Sequence, residues 1–202
     1  MKLVGTHTSP YVRKTRIVLA EKKIEYDFVL DSPWEEGSFV PNLNPLGKVP
    51  VLVLDDENTL FDSRVICEYL DNVSPNNRLL PQTNRERTQV KRWEALADGV
   101  CDAAANIVLE KRRQAGRRSA QFVEKQMEKV QRAVQVMAED VGESVWTHGN
   151  SFTMADIAVG SALGYLAFRI TDFNWREKYP NLARLNDKLK LRPSFAETVP
   201  HE

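Results

Sequence analysis

The spacing of apolar positions changes several times within residues 1–73, which indicates a mixture of strands and helices. Short alternating or continuous apolar runs are typical of strands, and spacings of three and four are typical of helices. The predicted strands are residues 2–5, 24–30, 51–54 and 59–61, and the predicted helices begin at Ser9-Pro10 and Asp62-Ser63. With a loop or short helix at residues 32–40, the order is β-α-β followed by β-β-α.

Beyond residue 83 the spacing is helical almost throughout. Apolar stripes at residues 90–107 and 123–141 predict two long helices, and a further helix at 180–189 ends before Arg192-Pro193. Between the stripe at residues 123–141 and the helix at 180–189, Thr153 and Asp156 have the spacing of a capping box at a helix start. Residues 72–83 contain Pro75 and Pro81 and have no periodicity. We therefore expect an α+β protein with an N-terminal domain (1–73), a linker (74–83) and an all-α domain (84–202).

Composition narrows the possible partners and compartments. The chain has 28 basic and 28 acidic residues among 202, so its net charge predicts neither a nucleic acid nor an anionic membrane as partner. No segment has the length of a bilayer span, and the first residues lack the apolar region of a signal peptide. Cys67 and Cys101 show no disulfide or zinc spacing, and His7, His148 and His201 show no metal spacing. These features favour a reducing cytoplasm and no metal, and they favour a loop position for His7.

The stretch from Asn42 to Ser63 combines several features of a binding surface. Its turn at residues 44–47 precedes Pro50, which cannot donate a ladder hydrogen bond and therefore belongs at the start of a strand. This placement leaves the backbone of Val49 outside the sheet. Asp62-Ser63 then opens a helix, where free N–H groups and the positive dipole end favour an anion.

These motifs resemble the soluble glutathione S-transferases. The resemblance covers almost the whole chain in the order and spacing of the family, and it is closest to the small bacterial transferases of the YibF type. Its motifs are Ser9-Pro10, residues 44–52, Phe61-Asp62-Ser63, residues 97–99, residues 153–156 and residues 192–195. It implies a thioredoxin-like N-terminal domain of βαβ-ββα order, followed by a helical-bundle domain.

The resemblance also implies a glutathione site without metal. The implied glutathione-binding residues are Ser9, Lys48, Val49, Pro50, Asp62, Ser63 and Asp98. In the family pattern the bond before Pro50 is cis, and the Val49 backbone pairs with the cysteinyl unit of glutathione. Asp62 suits the γ-glutamyl amine, Ser63 the γ-glutamyl carboxylate and Lys48 the glycyl carboxylate. Asp98 resembles the acid that, in family homodimers, approaches the γ-glutamyl amine bound to the partner.

Ser9 is the first candidate for the catalytic hydroxyl, and Thr8 is the alternative. Relatives place the active hydroxyl either directly before the proline or two residues before it, so the resemblance leaves both open. A free thiol with a pKa near 8.5 is mostly protonated at neutral pH, and lowering it by two units requires about 2.7 kcal/mol. A hydroxyl at a helix N-terminus supplies part of that stabilisation. Glutaredoxin-like and omega-type relatives carry a cysteine where this chain has Ser9.

We therefore expect an enzyme that uses glutathione as co-substrate to attack an unknown electrophile or peroxide. The second substrate would bind near residues 104–113 and the C-terminal tail, whose composition does not identify it. The alternatives are a non-catalytic interaction protein on the same fold and a glutathione-dependent peroxidase or reductase. A reductase requires a reactive cysteine in the pocket, and we expect Cys67 and Cys101 to be buried thiols instead.

Overall fold

A computed structural model describes all residues from Met1 to Glu202. The chain forms two compact units. The N-terminal unit consists of Met1–Pro81 and Leu191–Glu202, and the helical unit consists of Gln82–Lys190. The predicted α+β class is therefore confirmed. None of the helices has both the length and the apolar character that crossing a bilayer requires.

A four-stranded sheet forms the centre of the N-terminal unit. Its strands are β1 (Lys2–Gly5), β2 (Asp27–Leu30), β3 (Val51–Val53) and β4 (Thr59–Phe61). The spatial order is β2-β1-β3-β4, with β1 parallel to β2 and β3 antiparallel to both of its neighbours. This is the thioredoxin-like arrangement that the resemblance implied.

The second strand is shorter than the alternating pattern predicted. The pattern extends from residue 24, whereas β2 begins at Asp27. Its partner β1 offers four residues, and the parallel register pairs Lys2 with Asp27 and Gly5 with Leu30. The alternating apolar pattern therefore extends beyond the residues that can pair with β1.

Two helices of the N-terminal unit cover the sheet. They are α1 (Pro10–Glu21) and α3 (Ser63–Val73), and α2 (Val40–Leu43) is a single short turn between β2 and β3. The apolar positions predicted to face inward on α1 are fully buried: Val12, Ile17, Val18 and Leu19. Residues 32–39 have no helix, because the carboxylate of Asp31 accepts hydrogen bonds from the N–H groups of Phe39 and Val40 and fixes the chain there.

A buried ion pair joins the ends of α1 and α3 to the residues that follow them. Lys22 Nζ lies 3.0 Å from Asp71 Oδ1, and both side chains are almost fully buried. The carboxylate of Asp71 also accepts the backbone N–H groups of Leu79 and Leu80 at 2.8 and 3.0 Å. These additional hydrogen bonds offset the cost of burying the pair. The segment predicted as a linker is thus tied to the N-terminal unit by specific contacts up to Leu80.

The helical unit is built around two long helices and one central helix. Its elements are α4 (Asn84–Arg112), a short 3-10 helix (Ala115–Arg117), α5 (Ala120–Val141), α6 (Met154–Arg169), α7 (Trp175–Lys178) and α8 (Pro180–Lys190). Helix α6 is buried along most of its length, including Ile157, Leu163 and Leu166. The small residues Gly160 and Ser161 lie in this buried stretch and allow close packing.

The predicted capping box at the start of α6 is confirmed. Thr153 Oγ1 accepts the N–H of Ala155 at 3.2 Å, and Asp156 Oδ2 accepts the N–H of Thr153 at 2.8 Å. The other oxygen of Asp156 accepts the N–H of Thr147 at 2.7 Å. Asp156 has no exposed surface, and this burial raises the pKa of its carboxyl despite the hydrogen bonds.

The C-terminal segment, defined here as Leu191–Glu202, belongs to the N-terminal unit rather than to the helical unit. It contains the short helix α9 (Pro193–Ala196). Arg192 and Ser194 bind the carboxylate of Glu21 at the end of α1. The sequence assigned residues 191–202 to the helical domain because they follow its last helix, and these long-range contacts explain the difference.

Candidate functional site

The N-terminus of α1 carries the first candidate residue. Ser9 is the N-cap, and its Oγ accepts the N–H of Val12 at 3.3 Å. The proline after it, Pro10, occupies the first helical position. A capping hydroxyl that accepts from the helix can still donate its own proton to a second group. Ser9 is half-buried, and its capping role places its hydroxyl at the positive end of the helix dipole.

Thr8 is engaged differently in the same loop. Its Oγ1 lies 3.2 Å from Oγ1 of Thr6, so the two threonine hydroxyls share a hydrogen bond inside the loop. The N–H of Ser9 donates to the carbonyl of Thr6 at 3.4 Å. The loop between β1 and α1 is thus a tight turn, and Ser9 is the residue that leaves it for the helix.

The turn before the third strand is organised by Asn44. This side chain is buried, and its Nδ2 donates to the carbonyl of Lys48 at 2.8 Å while its Oδ1 accepts the N–H of Leu46 at 3.0 Å. The backbone closes the same turn, with the N–H of Gly47 donating to the Asn44 carbonyl at 2.8 Å. Gly47 has a φ of 58°, a conformation that glycine adopts without steric cost. The predicted turn at residues 44–47 is confirmed.

Val49 and Pro50 follow this turn, and the bond between them is cis, as the resemblance implied. Pro50 is buried, and Val49 packs against the core around Val40 and Val51. Strand β3 begins at Val51, so Val49 lies beyond the last paired residue of the ladder. Its backbone is therefore positioned at the end of the sheet.

The third element is the start of α3. Asp62 is the N-cap, and its carboxylate accepts the N–H of Arg64 at 2.9 Å and two guanidinium N–H groups of Arg64 at 3.3 and 3.1 Å. Ser63 opens the helix and is buried. Partial burial pushes the pKa of Asp62 upward, but the hydrogen bonds and charge of Arg64, with the charge of Lys14, outweigh it and hold the pKa below its ordinary value.

The strand register brings these three elements to one edge of the sheet. Val51 pairs with Phe61 on β4 and with Val4 on β1, and both pairings are antiparallel. The residues before Val51, those after Phe61 and those after Val4 therefore leave the sheet at the same edge. Six of the seven predicted glutathione-binding residues lie there: Ser9, Lys48, Val49, Pro50, Asp62 and Ser63. The side chain of Lys48 is exposed.

Asp98, the seventh predicted residue, lies on α4 in the helical unit and is buried. Trp34 lies in the loop after β2, and its side chain is 70% exposed.

Comparison with known proteins decides the family. The profile of the glutathione S-transferase N-terminal domain matches residues 8–73, and that of the C-terminal domain matches residues 120–185. Over 99% of this chain, the sequence is 40% identical to an uncharacterised GST-like protein of Escherichia coli K12, YibF, and the match covers 98% of that protein. The chain belongs to the glutathione S-transferase family.

Two solved structures of bacterial members of the family are similar over nearly their whole length. A transferase from Methylobacillus flagellatus with glutathione bound has 47% sequence identity and a TM-score of 0.96, and 99% of each chain is covered. A transferase from Methylobacterium radiotolerans in complex with glutathione sulfonate has 39% identity and a TM-score of 0.96, and the match covers 100% of this chain and 95% of that chain.

Within this family the chain lacks the cysteine that glutaredoxin-like members place before the proline of α1. Its two cysteines, Cys67 and Cys101, form no disulfide and are both buried, as the sequence predicted. Cys67 Sγ lies 3.9 Å from Thr15 Oγ1, where α1 packs on α3, rather than at the N-terminus of α1. The group that replaces the cysteine at that position is the hydroxyl of Ser9.

Sequence reasoning missed three residues that shape the site. Asn44 holds the turn, Arg64 holds the carboxylate of Asp62, and Lys14 is a buried cation on α1 whose charge reaches Asp62. Lys14 falls among the inward positions of α1, so a cation on an apolar helix face was the signal for it. The roles of Asn44 and Arg64 depend on the backbone fold of the loop and have no comparable signal.

Proposed function

We propose that the protein is a glutathione transferase that binds glutathione at the edge of the sheet and stabilises its thiolate. The observation that carries this proposal is the convergence of Ser9, Val49 and Asp62-Ser63 at one sheet edge. The glutathione in the 47% identical structure from Methylobacillus flagellatus supports the choice of ligand. The thiolate would attack an electrophilic or peroxide substrate.

Each part of the tripeptide has a matching group. The backbone of Val49 lies outside the ladder and suits the cysteinyl unit, as in an added antiparallel strand. The ionised carboxylate of Asp62 suits the γ-glutamyl ammonium, and Ser63 at the N-terminus of α3 suits the γ-glutamyl carboxylate. Lys48 is exposed beside the turn and suits the glycyl carboxylate.

Catalysis in this proposal is positioning combined with charge stabilisation. The thiol loses its proton to solvent, and the sulfur is then held by the Ser9 O–H and the positive end of α1. Hydrogen bonds to charged groups contribute about 1.5–3 kcal/mol, which matches the stabilisation that a two-unit shift of the thiol pKa requires. With a carbon electrophile, the thiolate forms a carbon–sulfur bond and the leaving group departs with its electron pair. With a peroxide, the thiolate attacks one oxygen to form a sulfenic acid, the O–O bond breaks, and the other oxygen leaves as alkoxide or hydroxide.

Two further expectations follow from membership of the family. We expect a homodimer in which Asp98 of one protomer approaches the glutathione of its partner, and we expect a reducing cytoplasm, which suits two free thiols. Gel filtration with light scattering measures the first expectation.

Calorimetric titration with glutathione tests the proposal directly. We expect saturable binding at one site per chain, with a dissociation constant in the micromolar to millimolar range, followed by conjugation activity in a screen of electrophiles and peroxides. The absence of binding at millimolar glutathione would refute the enzyme proposal and leave a non-catalytic interaction protein. Binding that protects Cys67 or Cys101 from a thiol label would instead favour a reductase.

Ser9→Ala and Thr8→Ala separate the two candidate hydroxyls. We expect Ser9→Ala to raise the pKa of the bound glutathione thiol and to lower kcat/KM by about 10- to 100-fold, the equivalent of one hydrogen bond to an anion. Thr8→Ala should leave both quantities nearly unchanged. Thiolate absorbance of the bound ligand against pH is the measurement, and Ser9→Thr, which keeps the hydroxyl, is the control. An unaffected Ser9→Ala would transfer the role to Thr8.

A further inference from the structure

The C-terminal segment follows α1 from its last turn toward its first. At the last turn, Arg192 Nε and Nη2 donate to the carboxylate of Glu21 at 2.8 and 2.7 Å. Farther along, Arg13 Nη2 donates to the carbonyl of Phe195 at 3.4 Å, and the Arg13 guanidinium lies 5.8 Å from the centre of the Phe195 ring. The segment is therefore held at the last turn and near the first turn of α1, and it ends beside the loop that precedes the helix.

The segment ends on that loop. The rings of His201 and His7 stack, with centroids 4.4 Å apart and an interplanar angle of 22°. The His7 ring also lies 4.9 Å from the ring of Phe28 on β2. Arg16 completes the cluster, because its Nη1 is 3.2 Å from His7 Nδ1 and its Nη2 donates to the carbonyl of Glu197 at 3.3 Å. His7 thus contacts α1, β2 and the C-terminal segment and stays partly exposed.

His7 belongs to the loop that carries both candidate hydroxyls. It lies between Thr6 and Thr8, whose hydroxyls bond to each other, and it precedes Ser9 by two residues. Within the loop, the N–H of Ser9 makes only a long hydrogen bond of 3.4 Å to Thr6. The His7 side chain therefore adds contacts with α1, β2 and the C-terminal segment to a loop whose ends are fixed by β1 and by the Ser9 cap of α1.

We propose that His7 and His201 are positioning residues: by stacking on His7, the end of the C-terminal segment fixes the loop that presents Ser9 and Thr8. The contact itself is independent of any ligand. Its consequence for thiolate stabilisation rests on the proposed glutathione transferase function. His7 and His201 act through Ser9 and do not touch the reacting sulfur in this proposal.

The hydrogen-bond geometry makes the contact sensitive to protonation. A guanidinium has no acceptor, so His7 Nδ1 must accept from Arg16 and its ring must be neutral. The titratable or charged side chains that contact the cluster are Arg16 on α1, Tyr26 before β2 and His201 on the C-terminal segment, while Glu197 contributes only its backbone carbonyl. Protonation of His7 breaks its hydrogen bond with Arg16 and adds a cation beside an existing one.

The shift in the pKa of His7 has the direction that this geometry predicts. Burial lowers the pKa of His7 below its ordinary value of 6.5, and the charges of Arg16 and His201 lower it further. A group with a lowered pKa contributes its stabilisation above the ordinary pKa and loses it as the pH falls through the lowered value. The loop should therefore be fixed above pH 6.5 and released as the pH falls through the lowered pKa of His7.

Amide hydrogen exchange of the full chain, measured at residues 6–9 and corrected for the intrinsic rate, tests the contact without any ligand. We expect His201→Ala to accelerate this exchange by about three- to tenfold near pH 7.5, the loss expected for one stacked ring pair. His201→Phe keeps the ring and should match the unmodified protein. Val199→Ala, a change to an exposed side chain of the same segment, is the matched control.

Lowering the pH stepwise below 6.5, through the lowered pKa of His7, gives the second readout. The unmodified protein should show faster corrected exchange at residues 6–9, while His201→Phe should change less, because a phenyl ring accepts a protonated His7 on its face. Equal exchange rates of His201→Ala and the unmodified protein near neutral pH would overturn the proposal. So would an absence of acceleration in the unmodified protein on acidification.

The link to function is measured separately as the pKa of bound glutathione thiol. His201→Ala should raise that pKa and His201→Phe should not. If exchange responds to His201→Ala and the thiol pKa does not, the contact fixes the loop without positioning Ser9, and the proposal fails. If the unmodified protein binds no glutathione, the proposed function fails, whereas the exchange experiment still decides whether the contact fixes the loop.

Discussion

Asp62 has a φ of 66° and ψ of 120°, a backbone conformation that few residues other than glycine adopt. Its carboxylate nevertheless caps α3 and is held by three N–H groups of Arg64. Such conformations cost free energy and persist where the surrounding structure fixes them, often at binding sites. The side chain is 44% exposed, so an ammonium can reach the carboxylate from solvent while Arg64 holds it.

Asp62→Asn removes the charge and keeps the local structure. Asparagine is as good an N-cap as aspartate and tolerates a positive φ, so we expect only a small fall in the thermal midpoint, from the loss of the exposed ion pair with Arg64. Glutathione affinity at neutral pH should fall about tenfold, since the ammonium loses its counter-charge. Isothermal titration of both proteins measures this, and an unchanged affinity would remove Asp62 from the site.

The pH dependence of this interaction follows from the lowered pKa of Asp62. Partial burial raises that pKa, but Arg64 and Lys14 hold it below the ordinary value of 3.8. The contribution of Asp62 to affinity is therefore complete above that value and is lost only as the pH falls through the lowered pKa. Between neutral and mildly acidic pH, the ratio of affinities of the unmodified protein and Asp62→Asn should stay constant.

At the scale of elements, α6 depends on its first turn. Thr153 Oγ1 is bonded to the N–H of Ala155, and Asp156 binds the N–H groups of Thr147 and Thr153 with separate oxygens. All of these residues lie in the buried part of the helical unit. A buried N–H group without a partner costs more than an exposed one, so the cap is coupled to the stability of the whole unit.

Thr153→Ala should lower the free energy of unfolding by about 1 kcal/mol, the usual cost of losing an N-cap hydroxyl. Asp156→Ala should cost more, about 2–5 kcal/mol, because it leaves two buried N–H groups without acceptors. Urea denaturation followed by circular dichroism gives both values. A smaller loss for Asp156→Ala than for Thr153→Ala would contradict the role assigned to this carboxylate.

The local pattern of the sequence predicts most elements because local physics decides them. Ser9-Pro10 and the Thr153 capping box place two helix starts correctly, and β1 and β4 have the residues that were predicted. The predicted and observed elements differ where a contact with another segment of the chain sets the boundary. Strand β2 is limited by the length of β1, and the loop after it is fixed by the Asp31 carboxylate.

For the whole molecule, the family motifs located the candidate site, whereas contacts across long sequence separations were not predictable. The register that brings Val49 and Asp62 to one sheet edge pairs strands in an order that the local apolar pattern does not reveal and that only the family resemblance implied. The position of the C-terminal segment depends on Arg192 meeting Glu21, which lies 171 residues earlier. Nothing in the local pattern of either residue indicates this pairing.

Glu21 provides the strongest test of that segment. Its carboxylate accepts hydrogen bonds from Arg192 at 2.7 and 2.8 Å, from Ser194 Oγ at 2.6 Å and from Asn77 Nδ2 at 2.8 Å. Burial pushes the pKa of Glu21 upward, but the hydrogen bonds and charge of Arg192, with those from Ser194 and Asn77, lower it below 4.5 overall. The stabilisation is therefore present above pH 4.5 and is lost as the pH falls through the lowered pKa.

Glu21→Gln removes this charge from the centre of the contact. We expect it to lower the free energy of unfolding by about 1–2 kcal/mol and to accelerate amide exchange across residues 191–202, because a neutral amide cannot hold both donors of Arg192. Glu25→Gln makes the same change in net charge at an exposed position and is the matched control. Equal exchange in the two variants would show that Glu21 does not hold the segment. Faster exchange at residues 191–202 that also spreads to residues 6–9 would show that the whole segment, from Arg192 to His201, fixes the loop carrying Ser9.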